Sequence, residues 1–304
     1  MKLTLINPFK FIFLASLITM NNIQCTSPRS ENQSACDSCV TLLQNATINA
    51  PTVFVKVHAA EALVSNNYPE GLEATFTALQ KAAPENFLGA TRVLARLNKS
   101  NPEKYSENIE LIVDKFLNAD SSRQRLIALE SLGKLGYDKP LPEIVALAQT
   151  GDGGFKAMAR WVLANSGNPE KESALAQLLL STEVTDYRTA AYALRFINKI
   201  QPETYSLLQR GADQLAKDAV GRVYVLSSLF VHTPPGKNST LKSELLAYST
   251  GETPERYETA EGLSLAGQPA DIPLLEKLLK DPDMDVRVAA SNAILRIQNR
   301  SKNN

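Results

Sequence analysis

Eight times along the chain a small or β-branched residue is followed, four positions later, by a leucine or once by an alanine. The pairs are Ala59/Leu63, Ala90/Leu94, Ala128/Leu132, Ala159/Leu163, Ala190/Leu194, Val225/Leu229, Thr259/Leu263 and Ala289/Ala293. Residues four apart share one face of an α-helix, so each block predicts a helix with a narrow buried stripe. Successive anchors lie 30 to 38 residues apart, the period of two-helix repeats. Eight positions beyond an anchor stand Asn67, Asn98, Gly136, Gly167, Asn198 and Gly267, residue types that tolerate the left-handed conformation closing a helix. Prolines follow at 69, 102, 140, 169, 202, 235 and 269, where a missing N–H suits the first turn of a new helix. Apolar stretches such as "YSENIELIVDKFL" and "DIPLLEKLLKD" supply the other helix of each pair.

One helix pair cannot bury its apolar face alone, and stacked pairs share a continuous core. The pattern therefore predicts an all-α fold, an α-α superhelix of about eight helix pairs over residues 53–304. The last unit, "DIPLLEKLLKDPDMDVRVAASNAILRI", resembles a HEAT repeat of the short kind found in bilin-lyase-like proteins, with its Asp-Pro-Asp turn, Val-Arg and paired alanines. "DYRTAAYALRFI" and "VKVHAAEAL" match it in part. The resemblance implies a right-handed α-solenoid whose second helices line a concave surface. It leaves function open, because one fold hosts many functions.

Two residues after the anchors the column changes to Glu61, Arg92, Glu130, Trp161, Tyr192, Ser227, Glu261 and Ser291. That position lies about 200° around the helix from the buried stripe. One turn later the same face carries Arg96, Lys134, Asn165 and Phe196. On the HEAT resemblance, Arg92, Arg96, Glu130, Lys134, Trp161, Tyr192 and Phe196 form a partner-binding groove. The competing reading has Trp161 and Tyr192 filling space between helices, and aromatic residues pack there readily.

The N-terminus reads as a targeting signal over 1–24. "MKLTLINPFK" carries two lysines, and the apolar "FIFLASLITM" is too short to span a bilayer. Cys25 then resembles the lipidated cysteine of a bacterial lipoprotein, although Asn22 and Gln24 replace the usual Leu and small residue. Residues 25–52 read as a polar tether with room for one short helix. With Cys25 lipidated, Cys36 and Cys39 remain as a pair in "CDSC", expected as a local disulfide in an oxidising compartment.

Charge narrows the classes. Beyond the first 24 residues, whose only charges are Lys2 and Lys10, 30 basic and 32 acidic residues remain. Such a balance lacks the electrostatic footprint of a nucleic-acid binder. "CDSC" alone lacks the ligands of a zinc site. "GLSLAG" has Ala266 where a serine-hydrolase elbow needs glycine, and "GDGG" lacks the Lys-Ser/Thr of a P-loop. His58 and His232 stand several repeats apart and read as surface or packing residues. No convergent acid–base set emerges, so no catalytic residue, cofactor or metal is expected. The resulting expectation is an exported, lipid-anchored scaffold in a bacterial envelope that binds a protein partner, or a secreted one if Cys25 is not lipidated. Its alternative is a glycan or small-molecule binder stacking on Trp161 and Tyr192, and a bilin-lyase-like enzyme ranks last.

Overall fold

The computed structural model describes residues 31–302, with side chains from Cys36 onward. The signal segment 1–24 and the lipidation candidate Cys25 lie outside the described residues. Sixteen α-helices are present among the described residues, and they alternate between an outer and an inner layer. The outer helices are α1 (Glu31–Asn49), α3 (Leu72–Ala82), α5 (Pro102–Asn118), α7 (Pro142–Thr150), α9 (Pro169–Ala176), α11 (Pro202–Gln214), α13 (Ser239–Ala247) and α15 (Ile272–Leu278). The inner helices are α2 (Val53–Ser65), α4 (Phe87–Leu97), α6 (Ser122–Lys134), α8 (Gly153–Ala164), α10 (Val184–Leu194), α12 (Arg222–His232), α14 (Thr253–Ala266) and α16 (Met284–Lys302). This is an α-solenoid of eight helix pairs.

Local chemistry explains the helix boundaries. Asn101 and Asn168 cap α5 and α9 through their side chains, and Pro102 and Pro169 open the first turns. Pro202 does the same for α11, whereas α7 opens at Pro142 rather than Pro140. At the inner-helix ends, Asn67, Gly136 and Gly167 adopt φ of 65°, 71° and 73°. The other expected stops do not use the left-handed conformation: Gly267 has φ −66°. There the chain leaves the helix in an extended conformation that any residue can adopt.

The layers differ in how much they bury. Outer α5 buries only Ile109, Ile112 and Phe116, one stripe of an amphipathic helix. Inner α8 buries Ala157, Met158, Ala159, Trp161, Val162, Leu163 and Ala164, because neighbours enclose it on several sides. All eight anchors, and all eight residues four positions beyond them, are buried. Small side chains let the helices approach closely: a Cβ added at Gly133 on α6 would sit 2.6 Å from the Trp161 indole.

Two expectations about the N-terminal stretch are corrected. Residues 31–49 form a helix, not a tether, and α1 packs on both α2 and α16. Cys39, Leu43 and Ala46 form its fully buried stripe, which its many polar residues disguise. Cys36 and Cys39 are free thiols, both buried. On one continuous helix their Cβ directions diverge by about 60°. Cys39 turns into the core, and Cys36 Sγ donates a hydrogen bond to Gln298 Oε1 on α16.

The solenoid closes on itself. Each inner helix packs on the next, from α2 through α16, and α16 then packs on α2. The closing joint is marked by polar contacts between residues more than 220 positions apart. His58 Nδ1 lies 2.8 Å from Asp285 Oδ1, Asn66 Nδ2 donates to Asn292 Oδ1 at 3.0 Å, and Asn299 Nδ2 donates to Asn66 Oδ1 at 3.1 Å.

Candidate functional site

Closure turns the concave face into a central cavity of about 250 Å³. Its wall is drawn from α2, α4, α6, α10, α14 and α16, with Asn165 contributed from the end of α8. Because most inner helices repeat at one register, the residue six after the anchor reaches the cavity from α2, α4, α6, α8, α10 and α14. Glu61, Tyr192 and Glu261, two after theirs, join them, whereas α16 contributes Asn292 and Arg296, three and seven after its anchor. Of the groove residues expected from the sequence, Arg96, Lys134, Tyr192 and Phe196 line the cavity. Arg92 and Glu130 lie in an ion-pair layer around it.

That layer is nearly saturated. Glu61 accepts a hydrogen bond from Arg92 Nε at 2.8 Å, and Arg96 Nε lies 2.9 Å from the same oxygen. Burial opposes ionisation of Glu61, but Arg92 and Arg96 outweigh it and hold the carboxyl far below its ordinary range. Arg92 also donates to Ser131 Oγ at 3.2 Å. Glu130 takes Lys134 Nζ at 3.1 Å and the Tyr192 hydroxyl at 2.7 Å. Burial again opposes its charge, yet Lys134, Arg92 and the Tyr192 hydrogen bond bring it down to about 2. Arg195 is ion-paired with the buried Glu258 and donates to Ser227 Oγ at 3.3 Å.

The aromatic cluster is layered. Trp161 is fully buried, so the expectation that it offers a stacking platform is corrected. Phe196 stacks on it at 5.4 Å with 23° between planes, and Tyr192 meets it edge-on at 5.9 Å and 88°. The surface presented to the cavity is therefore Phe196 and Tyr192, with Trp161 as backing. Lys134 and Arg195 stand over these two rings at 5.2 to 5.7 Å, fixing them by cation–π attraction.

Other lining residues were not assigned to the groove from the sequence: His58, Tyr257, Glu261, Asn292 and Arg296. His58 reaches the cavity because ring closure brings α2 against α16, and its ring lies 5.8 Å from that of Tyr257. The column two after the anchors already contained Glu261, but nothing in the sequence distinguished it from a solvated charge. Arg296 has no hydrogen bond or ion pair among the described residues, and Glu261 makes none through its side chain. Burial pushes the Arg296 guanidinium below its ordinary pKa, with Glu261 opposing that effect and Arg96 adding to it. His232 lies away from the cavity and donates through Nε2 to the Leu194 carbonyl at 2.9 Å. Burial lowers its pKa.

The wall offers charges and hydrogen-bond donors but no prepared nucleophile. The hydroxyls of Ser65 and Ser264 are committed to the carbonyls of Ala62 and Glu261 on their own helices, at 3.1 and 2.8 Å. A neutral hydroxyl needs an adjacent base to attack, and these two point their protons elsewhere. The arrangement is suited to holding a polar ligand.

Comparison with protein families agrees on the repeats. Residues 109–195 match the family of HEAT repeats, and residues 272–300 match the HEAT repeat. No curated protein matches the chain. Among solved structures, human deoxyhypusine hydroxylase in complex with glycerol is similar at 16% identity, with 88% of this chain and 98% of that chain covered and a TM-score of 0.41. An engineered protein is similar at 19% identity, covering 88% and 80%, with a TM-score of 0.32. A designed armadillo repeat protein in complex with the peptide (KR)4 is similar at 18% identity, covering 85% and 99%, with a TM-score of 0.22. The chain thus carries HEAT repeats within an α-solenoid of eight helix pairs.

Proposed function

We propose that the protein is a non-catalytic binding module whose ligand occupies the central cavity. The carrying observation is ring closure: a concave face that an open solenoid would offer to a long partner is here a pit of about 250 Å³. That volume suits a small polar solute, and ligand pockets combine apolar or aromatic walls with a few placed polar groups. Phe196 and Tyr192 supply the first, and Arg296, Glu261 and Asn292 the second. A protein partner is the second reading, supported by the repeat scaffold, and it would enter the same pit with a single loop or chain end.

The test is a thermal-shift panel of amino acids, neutral sugars, hexuronates and phosphate esters against wild type and Ser65→Trp. Ser65 lines the cavity, and an indole there would fill it. A ligand that raises the melting temperature of wild type and not of folded Ser65→Trp supports the reading. Silence across the panel, or equal shifts in both proteins, overturns it.

Export and lipid attachment belong to the same proposal, supported by the apolar "FIFLASLITM" ahead of Cys25. Palmitate labelling that vanishes in Cys25→Ala is the expected result, and labelling that persists would end that part.

A further inference from the structure

The charges around the cavity divide into those held in ion pairs within the protein and those in none. Lys134 pairs with Glu130, Arg195 with Glu258, and Arg92 and Arg96 share Glu61. Arg296 and Glu261 remain. They sit on the adjacent helices α16 and α14 and feel each other's charge, yet no ion pair joins them. An unpaired guanidinium in a partly buried site carries a desolvation cost, and a carboxylate arriving there with good geometry offsets it. Glu261 presents the converse need for an ammonium.

The balance of the whole site distinguishes between ligand classes. Arg92, Arg96, Lys134, Arg195 and Arg296 are balanced by Glu61, Glu130, Glu258, Glu261 and Asp285, five basic against five acidic side chains in the wall and its backing. A monoanion would bring an uncompensated charge into a region of reduced dielectric, whereas a ligand with separated, cancelling charges would not. Resting on the binding-cavity reading, we propose that the ligand is a small zwitterion, an α-amino acid whose carboxylate is held by Arg296 and whose ammonium is held by Glu261. Its side chain would lie toward Phe196 and Tyr192, the aromatic part of the wall.

The test is titration calorimetry of the full chain with each standard L-α-amino acid. The tightest binder is then compared with its decarboxylated amine and its 2-hydroxy acid. Removing either charged group from the ligand is expected to weaken binding by about 10- to 100-fold, the scale of a charge-assisted hydrogen bond. Arg296→Gln should weaken the amino acid to the same degree and leave the amine unaffected, while Arg296→Lys retains part of the affinity. Glu261→Gln should likewise weaken the amino acid and leave the 2-hydroxy acid, which has no ammonium, unaffected. A 2-hydroxy acid that binds as tightly as the amino acid, or losses from ligand and protein that simply add, would overturn the assignment.

The two levels can fail separately. If no amino acid binds but a hexuronate, phosphate ester or neutral sugar does, and Ser65→Trp abolishes it, the zwitterion falls and the cavity reading stands. If every probe is silent, both fall.

Discussion

The joint between α6 and α8 and the joint between α16 and α2 do the same geometric job with different chemistry. At the first, Gly133 lies directly under the Trp161 indole, and Asn165 Nδ2 donates to the Gly133 carbonyl at 3.0 Å. At the second, His58 meets Asp285, Asn66 meets Asn292 and Asn299, and Cys36 meets Gln298. Neighbouring repeats are tethered by the chain itself, so close packing and contacts such as Arg92 with Glu61 form between segments already held near each other. The first and last repeats must find each other from opposite ends of the sequence. Directional hydrogen bonds at that joint select one alignment, since a shifted register leaves buried amides unpaired. Interior joints supply stability, and the closing joint supplies shape.

The largest effect is expected from the interior. Arg195→Met would leave Glu258 buried without its partner and cost about 3–5 kcal/mol in denaturant unfolding. Leu194→Ala removes a fully buried anchor-column side chain and should cost about 2–5 kcal/mol by leaving a cavity. A melting temperature unchanged from wild type would show that these residues do not hold the interior joints.

Asn66→Ala breaks the closing joint instead, at about 1–3 kcal/mol, because two further amides lose their partner. Its signature should be separable from loss of stability. Small-angle scattering is expected to show an enlarged radius of gyration at unchanged helicity, whereas the interior variants unfold without an open intermediate. An Asn66→Ala protein as compact as wild type would mean that apolar packing alone closes the ring.

A smaller effect is expected in acid. Glu130 is held at about 2 against an ordinary 4.5, so its contribution is complete above pH 4.5 and disappears as the pH falls toward 2. Glu130→Gln should flatten the stability profile across that window and leave its shape above pH 5 unchanged. An acid limb identical to that of wild type would remove Glu130 from the account.

The finest probe is a thiol at the seam. Burial pushes Cys39 up to about 12, against a hydrogen bond with Ser291 that pulls it down. With Cys25 and Cys36 replaced by serine, Cys39 should alkylate slowly at pH 8, because the thiolate is the reactive form. Adding Asn66→Ala should accelerate the reaction if the ring opens there, and equal rates would place opening elsewhere.

How much of this was legible in the sequence depends on whether the cause was local. Ala190 with Leu194, Asn101 with Pro102, and the glycines at 136 and 167 act within a turn or two, and each marks its helix in the linear pattern. Arg96, Lys134, Tyr192 and Phe196 were found by column because the repeat period makes register predict direction. Trp161 shared their column but not their exposure, since Phe196 and Tyr192 cover it. Helix α1 was misread because a polar composition hid a narrow stripe, Cys39, Leu43 and Ala46, that acquires its meaning only against α2 and α16.

The sequence by itself determined the repeating helix pairs from α3 onward together with α2, the buried stripe of each inner helix and the face turned toward the axis. Those follow from helical periodicity and capping, which operate over a few residues. Only the tertiary structure decided that the ends meet, that His58 therefore stands beside Asp285, and that Arg296 and Glu261 face a cavity without ion-pair partners. Closure is the sum of small rotations between successive pairs, and no short stretch of sequence encodes a sum.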